Sequence, residues 1–500
     1  MDPSTFNEYQ RQRYEKIQEL REQGIDPYPP RAHRTHLSRE AVAAFEAAMA
    51  EGQPGEPVWV TVGGRIVAIR VMGKASFAHI EDAAGQLQLY FKHDLLGQES
   101  YGHFKELLDL DDFIQARGTM FRTRTGEPTV EVHDWQIVSK ALNPPPSKWH
   151  GVTDAELRYR QRYVDLMANP EVRDIFIVRS RVVSAIRRFL ESRGFIEVET
   201  PVLQPLYGGA AAEPFITHHN WARRDLYLRI SPELYLKRLL VGGLERVFEI
   251  GKNFRNEGVS FKHSPEFTML EAYQAFADYH DMMKLAEECW STVAREVLGS
   301  PVIHYQGHVV DLTPPWKRVT MHSAILDQTG IDLDTVPTLG ALQANIRQRG
   351  VEVDTAQTWG KQVDKLFSAY VEPTLIQPTF IVDYPVELSP LAKRKPDKPG
   401  WVERFEGFVG GVEAVNAFTE LNDPIDQEQR FLDMARDFAA GDTEAHPLDE
   451  DFINALMYGM PPTGGIGWGI DRMMMIFLDR PNIREVILYP QLRAVQEELT

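Results

Sequence analysis

Positive charge is scarce in this chain of 500 residues, in which 54 Lys and Arg stand against 72 Asp and Glu for a formal net charge of −18. Nonspecific attachment to a phosphate backbone needs a surplus of cations, so a general affinity for nucleic acid is excluded and any RNA contact must be local. The deficit is uneven: residues 1–150 carry 17 Lys and Arg against 21 Asp and Glu, which leaves the front of the chain the less hostile part for RNA. Cysteine occurs once, at Cys289, and this excludes an internal disulfide and a multi-cysteine zinc site. No apolar run approaches membrane length, and the opening MDPSTFNEYQ lacks the basic-then-apolar order of a signal peptide. A cytoplasmic protein with no membrane partner is expected. No internal repeat is evident. At 43% hydrophobic the chain can bury more than one core, and its length suggests two or three domains.

What is present is concentrated in three segments. FRNEGVSFKHSPEF, Phe254 to Phe267, reads as two strands around a loop. Strand alternation puts Arg255 and Glu257 on one face, and the set Phe267, Met269, Glu271 and Tyr273 continues it beyond the loop Gly258 to Ser264. A cation, carboxylates, a histidine and an aromatic platform on one face suit a nucleotide, although a lone Arg-x-Glu is more often a surface ion pair. GGIGWGIDRMMMIF, Gly464 to Phe477, reads as a glycine-rich strand entering a helix, with Arg472 at the helix start where its fork and the helix N-terminus favour phosphate. RSRVVSAIRRFLESRGFIEVETPVL, Arg179 to Leu203, reads as an amphipathic helix stopped by Gly194, followed by a strand closed at Pro201.

In this order and spacing the three segments resemble signature motifs one, two and three of the class II aminoacyl-tRNA synthetases. The resemblance implies an α+β catalytic domain built on an antiparallel sheet flanked by helices, and a homodimer joined through motif one.

Upstream, Val58 to Ser139 contains five short alternating stretches with a helical piece around Tyr101 to Leu108 before the fourth. That is the order of a five-stranded oligonucleotide-binding (OB-fold) barrel. In this company it resembles the anticodon-binding domain of subclass IIb, the synthetases for lysine, aspartate and asparagine. The resemblance implies that Phe77 stacks on an anticodon base, that Gln88 reads the central uridine, and that Glu131 contacts another base. Stacking plus amide hydrogen bonding suits an unpaired loop. A helix from Asn7 to Gln23 precedes the barrel, and the triple proline of ALNPPPSKW, Ala141 to Trp149, interrupts strand and helix alike. The expected division is a helical extension over 1–50, the anticodon barrel over 51–143 and the catalytic domain over 144–500, with a helical insertion at about 298–364.

The amino acid can be read from the sign of the pocket. A substrate ammonium needs buried carboxylates, whereas an aspartate side chain needs Arg or Lys. SPELYLKR offers Glu233, the strand after motif two offers Glu271 and Tyr273, and VEAVNAFTELND offers Asn416, Glu420 and Asp423, an acidic set. With GGAAAEPFITHHN and ELNDP, these segments resemble the bacterial-type lysyl-tRNA synthetases over nearly the whole chain. The resemblance implies that Gly209 and Glu233 bind the α-amino group of L-lysine, and that Arg255 holds its carboxylate and the ATP α-phosphate. By the same resemblance Tyr273, Asn416 and Glu420 surround the ε-ammonium, with Glu271 beside them. The resemblance also implies that Glu257, His263, Phe267 and Arg472 bind ATP, with Arg255 and Arg472 as the catalytic cations, and that tRNA(Lys) accepts the lysine. Mg2+ is implied at Glu406 and Glu413. A two-residue turn at Gly410 and Gly411 sets Phe408 opposite Glu413 and brings Glu406 to the same face, but strict alternation then sends Glu413 and Asn416 to opposite faces unless a bulge intervenes. Glu213 and Ser264 depart from the residues usual at their positions in this family. The alternatives are an aspartate- or asparagine-type enzyme of the same subclass, a synthetase-like protein-lysylating enzyme, and a non-catalytic RNA-binding relative. The acidic pocket, the barrel and the intact set of Arg255, Glu257, Glu406, Glu413 and Arg472 argue against them in turn.

Overall fold

The computed structural model describes residues 2–50, 56–144, 154–439 and 448–493. It divides into two compact units, residues 1–151 and 152–500. Residues 145–149 of the proline-rich segment lie outside the described residues.

In the first unit α1 (Glu8–Glu22) is bounded by an Asn7 capping box, and α2 (Ser38–Ala50) follows. Five strands, β1 (Trp59–Met72), β2 (Ala75–Asp82), β3 (Gly85–Lys92), β4 (Phe113–Arg122) and β5 (Pro128–Ser139), close a barrel in the order β1-β2-β3-β5-β4. Alternate residues of each strand, among them Val60, Val62, Ile80, Leu89 and Val130, fill its core. Helix α3 (His93–Leu107) starts earlier than its sequence suggests and breaks at Gly97, whose φ is 79°. Arg13 of α1 donates to the carbonyls of Leu110, Ala141 and Asn143, and Lys16 pairs with Asp109 at 2.8 Å. The N-terminal helix therefore grips the exit of the barrel.

The second unit opens with α4 (Ala155–Arg160), α5 (Arg162–Ala168) and α6 (Pro170–Ser192). Helix α6 buries Val172, Ile175, Val182, Ala185, Ile186, Phe189 and Leu190 on one stripe, and Gly194 (φ 80°) ends it. The strand after it, β6 (Ile196–Glu197), is only two residues long. Then come β7 (Leu203–Gln204), β8 (Ile216–His219), β9 (Arg224–Leu228), α7 (Glu233–Val241), β10 (Arg246–Phe254), β11 (Glu266–Ala275) and α8 (Tyr279–Leu298). The expected helical insertion needs correction. Residues 302–320 form a hairpin, β12 (Val302–Tyr305) and β13 (His308–Asp311), and a strand, β14 (Lys317–Thr320). Helices α9 (Met321–Thr329), α10 (Leu339–Arg349) and α11 (Trp359–Tyr370) follow and run past residue 364. The chain closes with β15 (Thr379–Pro385), β16 (Trp401–Val409), β17 (Val412–Thr419), α12 (Pro424–Ala439), α13 (Glu450–Met457), β18 (Thr463–Gly469) and α14 (Ile470–Phe477).

Eight strands make one sheet in the order β14-β15-β16-β17-β18-β11-β10-β6. Its central pairs are antiparallel, and the outermost pair at each end, β14 with β15 and β6 with β10, is parallel. Ile466 and Trp468 of β18 point to the face covered by α6, α8 and α14, where Trp290, Met282 and Met474 complete the main core. The opposite face of the same strands is left for the site.

Candidate active site

Two ladder rows organise the open face. Across β16, β17, β18 and β11, one row joins Glu406, Asn416, Gly467 and Glu271, and the next joins Arg404, Phe418, Gly465 and Tyr273. Residues in a row share a face, so side chains 145 positions apart in sequence, such as Glu271 and Asn416, stand over one floor of glycine. The glycines are required by space. A Cβ at Gly465 would lie 1.8 Å from Glu420 Oε1 and 2.5 Å from the Tyr273 ring, and one at Gly467 would lie 2.6 Å from the Met269 methyl. No side chain fits there without expelling the acidic groups.

The turn at Gly410 and Gly411 has φ of 64° and 75°, the paired positive values of a two-residue hairpin that glycine adopts without strain. Phe408 pairs with Glu413 as alternation requires. The register then slips, with Gly407 opposite Val415, so that Ala414 is an extra residue in β17. This bulge brings Glu413 to the side already held by Asn416 and Glu406, and supplies the bend that alternation alone did not.

Two adjoining cavities open over the sheet. The first, about 160 Å³, is lined by Arg255, Glu257, His263, Phe267, Glu413 and Arg472 among others. The second, about 250 Å³, is lined by Gly209, Glu233, Glu271, Tyr273, Arg404 and Glu420. Arg255, Met269, Asn416 and Gly467 line both. The sequence-predicted residues thus separate into a cationic chamber and an acidic one, with Arg255 and Asn416 between them.

In the cationic chamber Arg255 lies just beyond β10, its N–H donating to the Pro265 carbonyl at 2.9 Å. Its guanidinium stands 5.1 Å from the centre of the Phe267 ring, and its buried Nε has no hydrogen-bond acceptor within the protein. Burial lowers its pKa, so it gains from a bound anion. Arg472, on the first turn of α14, donates to the Glu413 carbonyl at 3.0 Å and to Glu413 Oε2 at 2.9 Å, and its Nη2 lies 3.2 Å from His263 Nε2. Burial and the adjacent Arg472 charge hold His263 below its ordinary value and favour the neutral ring at pH 7. Asp471 anchors the helix start: it accepts from the Thr268 N–H at 2.7 Å and pairs with Arg179 of α6 at 2.7 Å.

Glu406 and Glu413 converge from the two strands of the hairpin. Burial, followed by the Glu413 charge, pushes Glu406 up to about 7, even though Arg404 donates to it at 2.6 Å. Glu413 is brought below its ordinary value because Arg472 outweighs its burial. Two carboxylates that resist ionising together are the donor set a divalent cation relieves, so the pair fits such an ion.

In the acidic chamber Glu271 accepts from Ser231 Oγ at 2.8 Å and Tyr273 Oη at 2.9 Å. Burial and the Glu233 charge raise it to about 7. Glu420 is fully buried and burial raises it well above its ordinary value, although the Lys237 ammonium pairs with its Oε2. Gly209 (φ 86°) packs against Ser231 and Glu233, where a Cβ would come within 3.0 Å of each. Two groups here were not singled out from sequence. Arg404 bonds Leu388 O, Ser389 Oγ, Asn416 Oδ1 and Glu406 at once, and Lys237 lies behind Glu233. Arg404 has no local signal for its bonds to Leu388 and Ser389, and Lys237, although an i,i+4 partner of Glu233, gives no sign in sequence of its second partner Glu420. Glu213 is exposed, and its carbonyl accepts from the Asn256 N–H at 2.8 Å, so its backbone rather than its carboxylate supports the motif-two loop.

On the barrel, Phe77 stacks on Tyr90 with ring centres 4.7 Å apart, and Tyr90 meets Phe121 at 5.7 Å. Gln88 is oriented at both ends: its amide nitrogen donates to Glu127 Oε2 at 2.9 Å, and its oxygen accepts from Thr129 Oγ1 at 2.9 Å. The carboxylate of Glu131 instead takes Lys92 at 2.7 Å. The acid beside Gln88 is Glu127, which the alternation of the last strand could not reveal because it precedes that strand. If the Phe77 face reads an anticodon, Phe77→Ala lowers kcat/KM for tRNA charging by about 5- to 150-fold, the range of one aromatic-base stack. ATP–pyrophosphate exchange without tRNA stays unchanged, and parallel losses in both assays would place Phe77 in folding instead.

Residues 154–493 match the family described as tRNA synthetases class II (D, K and N), and residues 60–138 match the OB-fold nucleic acid binding domain. Curated relatives named lysine–tRNA ligase align along almost the whole chain. One from Roseiflexus castenholzii is 58% identical over 98% of this chain and 99% of its own. One from Chloroflexus aurantiacus is 56% identical over 99% and 100%, and one from Carboxydothermus hydrogenoformans is 53% identical over 99% of each. With the glycine-floored sheet carrying all three motifs and a separate OB barrel before it, the chain belongs to the class II tRNA synthetases of the D, K and N group.

Proposed function

We propose that this chain is a lysine–tRNA ligase that activates L-lysine with ATP and passes it to the 3′ end of tRNA(Lys). The observation that carries this reading is the junction of the two chambers, where Arg255 and Asn416 stand between a cationic cavity and one lined by Glu233, Glu271 and Glu420. A diamino acid placed in the acidic chamber directs its carboxylate at Arg255. An aspartate side chain would face three carboxylates there.

The lysine carboxylate attacks the ATP α-phosphorus in line, and pyrophosphate leaves. The nucleophile is already ionised, so no general base is needed and the protein contributes position and charge. Arg255 gathers the carboxylate and α-phosphate, Arg472 takes phosphate charge, and Phe267 offers a face to adenine with Glu257 and His263 at its edge. Glu406 and Glu413 are the residues that would hold Mg2+, which supplies charge to the polyphosphate when bound. A hydroxyl of the terminal tRNA ribose then attacks the lysyl carbonyl of the adenylate, the acyl–phosphate bond breaks and AMP leaves. We assign anticodon reading to residues 51–143, catalysis to 144–500 and a supporting role to the extension 1–50. A homodimer through the motif-one region and a cytoplasmic location are part of the same proposal. No described helix is long and apolar enough to cross a membrane.

The test is ATP–pyrophosphate exchange by the full chain with magnesium, one amino acid at a time and without tRNA. Exchange with lysine alone is expected. Exchange with aspartate or asparagine would overturn the pocket assignment, and no exchange with any amino acid would return the chain to a non-catalytic or protein-modifying role.

A further inference from the structure

Helix α7 begins with Glu233, and one turn later it carries Lys237, a lysine whose side chain is fully buried. Its ammonium lies 2.6 Å from Glu233 Oε1 and forms a second ion pair with Glu420. The rings of Phe418 and Phe452 flank it, at 5.4 and 6.0 Å from their centres. Lys237 does not line the acidic chamber. It stands behind two of the carboxylates that do.

The charged and titratable groups around this point can be counted element by element. Helix α7 brings Glu233 and Lys237; β11 brings Glu271 and Tyr273; the end of β17 brings Glu420. Arg404 of β16 and Arg255 beyond β10 act on the group from the chamber side. The neighbouring Arg238 turns away to Asp449 and Asp451 at α13. Arg404 is committed to Glu406 and Asn416, and Arg255, which lines both cavities, is assigned by the reading above to the substrate carboxylate and phosphate. Three carboxylates and one ammonium remain to meet the amino groups of the substrate, an imbalance of two negative charges. Free lysine brings two ammonium groups. Without Lys237 there would be three buried carboxylates for two ammonium groups, and the low-polarity surroundings would force one of them to keep a proton.

We propose that Lys237 is a specificity-determining positioning residue, an internal ammonium that pairs with Glu233 and Glu420 and fixes them in place so that the chamber is charge-matched to a diamino acid. The proposal rests on the lysine reading above and deepens it. Lys237 touches neither substrate nor phosphate and acts only through the two glutamates.

The experiment is a double-mutant cycle of Lys237→Met and Glu420→Gln in the full chain, read as the lysine KM, the ATP KM and kcat of ATP–pyrophosphate exchange between pH 6.5 and 9. Lysine KM in Lys237→Met rises at least tenfold at pH 7, with ATP KM and kcat at saturating lysine within about twofold of wild type. The pH dependence has a definite sign. A buried carboxylate that loses its cation binds a proton more tightly, and the protonated acid no longer pairs with an ammonium. Raising the pH removes that proton, so kcat/KM for lysine climbs between pH 7 and 9 more steeply than in wild type. The double variant again has two carboxylates for two ammonium groups. Its lysine KM falls below that of Glu420→Gln alone and the steep pH dependence disappears, a coupling that neighbouring charges show and independent sites do not. This comparison holds even if Lys237→Met alone fails to fold, because it needs only Glu420→Gln and the double variant. Multiplying losses, or equal rises in lysine and ATP KM, overturn the role of Lys237. A wild-type chain that exchanges with no lysine overturns the lysine reading itself.

Discussion

Arg255→Ala lowers lysine-dependent ATP–pyrophosphate exchange by between about 30-fold and several thousand-fold. The expectation follows from where the guanidinium sits. It lines both cavities, has a buried Nε with no acceptor in the protein, and has its pKa lowered by burial, so anions from the substrates complete its environment. Removing one member of a buried charge pair typically costs about 2 to 5 kcal/mol, and each 1.4 kcal/mol is a factor of ten. Arg255→Lys is the informative companion. It keeps the charge but loses the fork that serves carboxylate and phosphate together, so it recovers only part of the rate. Exchange near the wild-type level in Arg255→Ala would remove the assignment of this chamber to adenylate formation.

Glu420→Gln raises the lysine KM by about 10- to 150-fold, the range for losing a hydrogen bond to a charged group, and leaves the ATP KM within about twofold. Glu420 is fully buried, lies under Gly465 and is separated from the phosphate chamber by Asn416 and Arg255. The variant is nearly isosteric, so packing around Tyr273 is kept and the difference between the two KM values isolates charge. Equal rises for lysine and ATP would mean that Glu420 supports the fold of the site instead of pairing with the substrate ammonium.

Much of this site was legible because its chemistry follows strand and helix periods. Glu271 and Tyr273 fall on one face by alternation, and Arg472 follows a glycine strand into a helix. The hairpin turn also announced itself, since Gly410 and Gly411 tolerate the positive φ that few other residues accept. The need for a bulge near Glu413 could be argued from parity, but its position at Ala414 could not. Residues whose role depends on long-range pairing stayed hidden: Lys237 meets Glu420 across 183 positions, and Arg404 reads as an ordinary strand-edge charge until Asn416 and Ser389 are beside it. The insertion misled because strands of four residues such as β12 and β13 are too short to establish a period. On the barrel, alternation pointed along β5 to Glu131, whereas Glu127 reaches Gln88 from the turn before it.

The extra residue at Ala414 gives β17 two phases. From Asn416 to Thr419 the strand keeps step with β18 and with the end of the site that would hold the amino acid. From Glu413 back to the turn it runs one residue out of step, and this offset portion holds the anchor for Arg472. Were β17 to keep its length but lose the bulge, strict alternation would swing Glu413 to the far side of the sheet and release that arginine without displacing a single carboxylate of the acidic chamber, whereas deleting Ala414 outright would leave Glu413 two positions from Asn416 and on the same face. Phosphate handling and amino acid choice thus hang on separate halves of one strand, and the second half can be rewritten for a different side chain while the first continues to present the same nucleotide machinery.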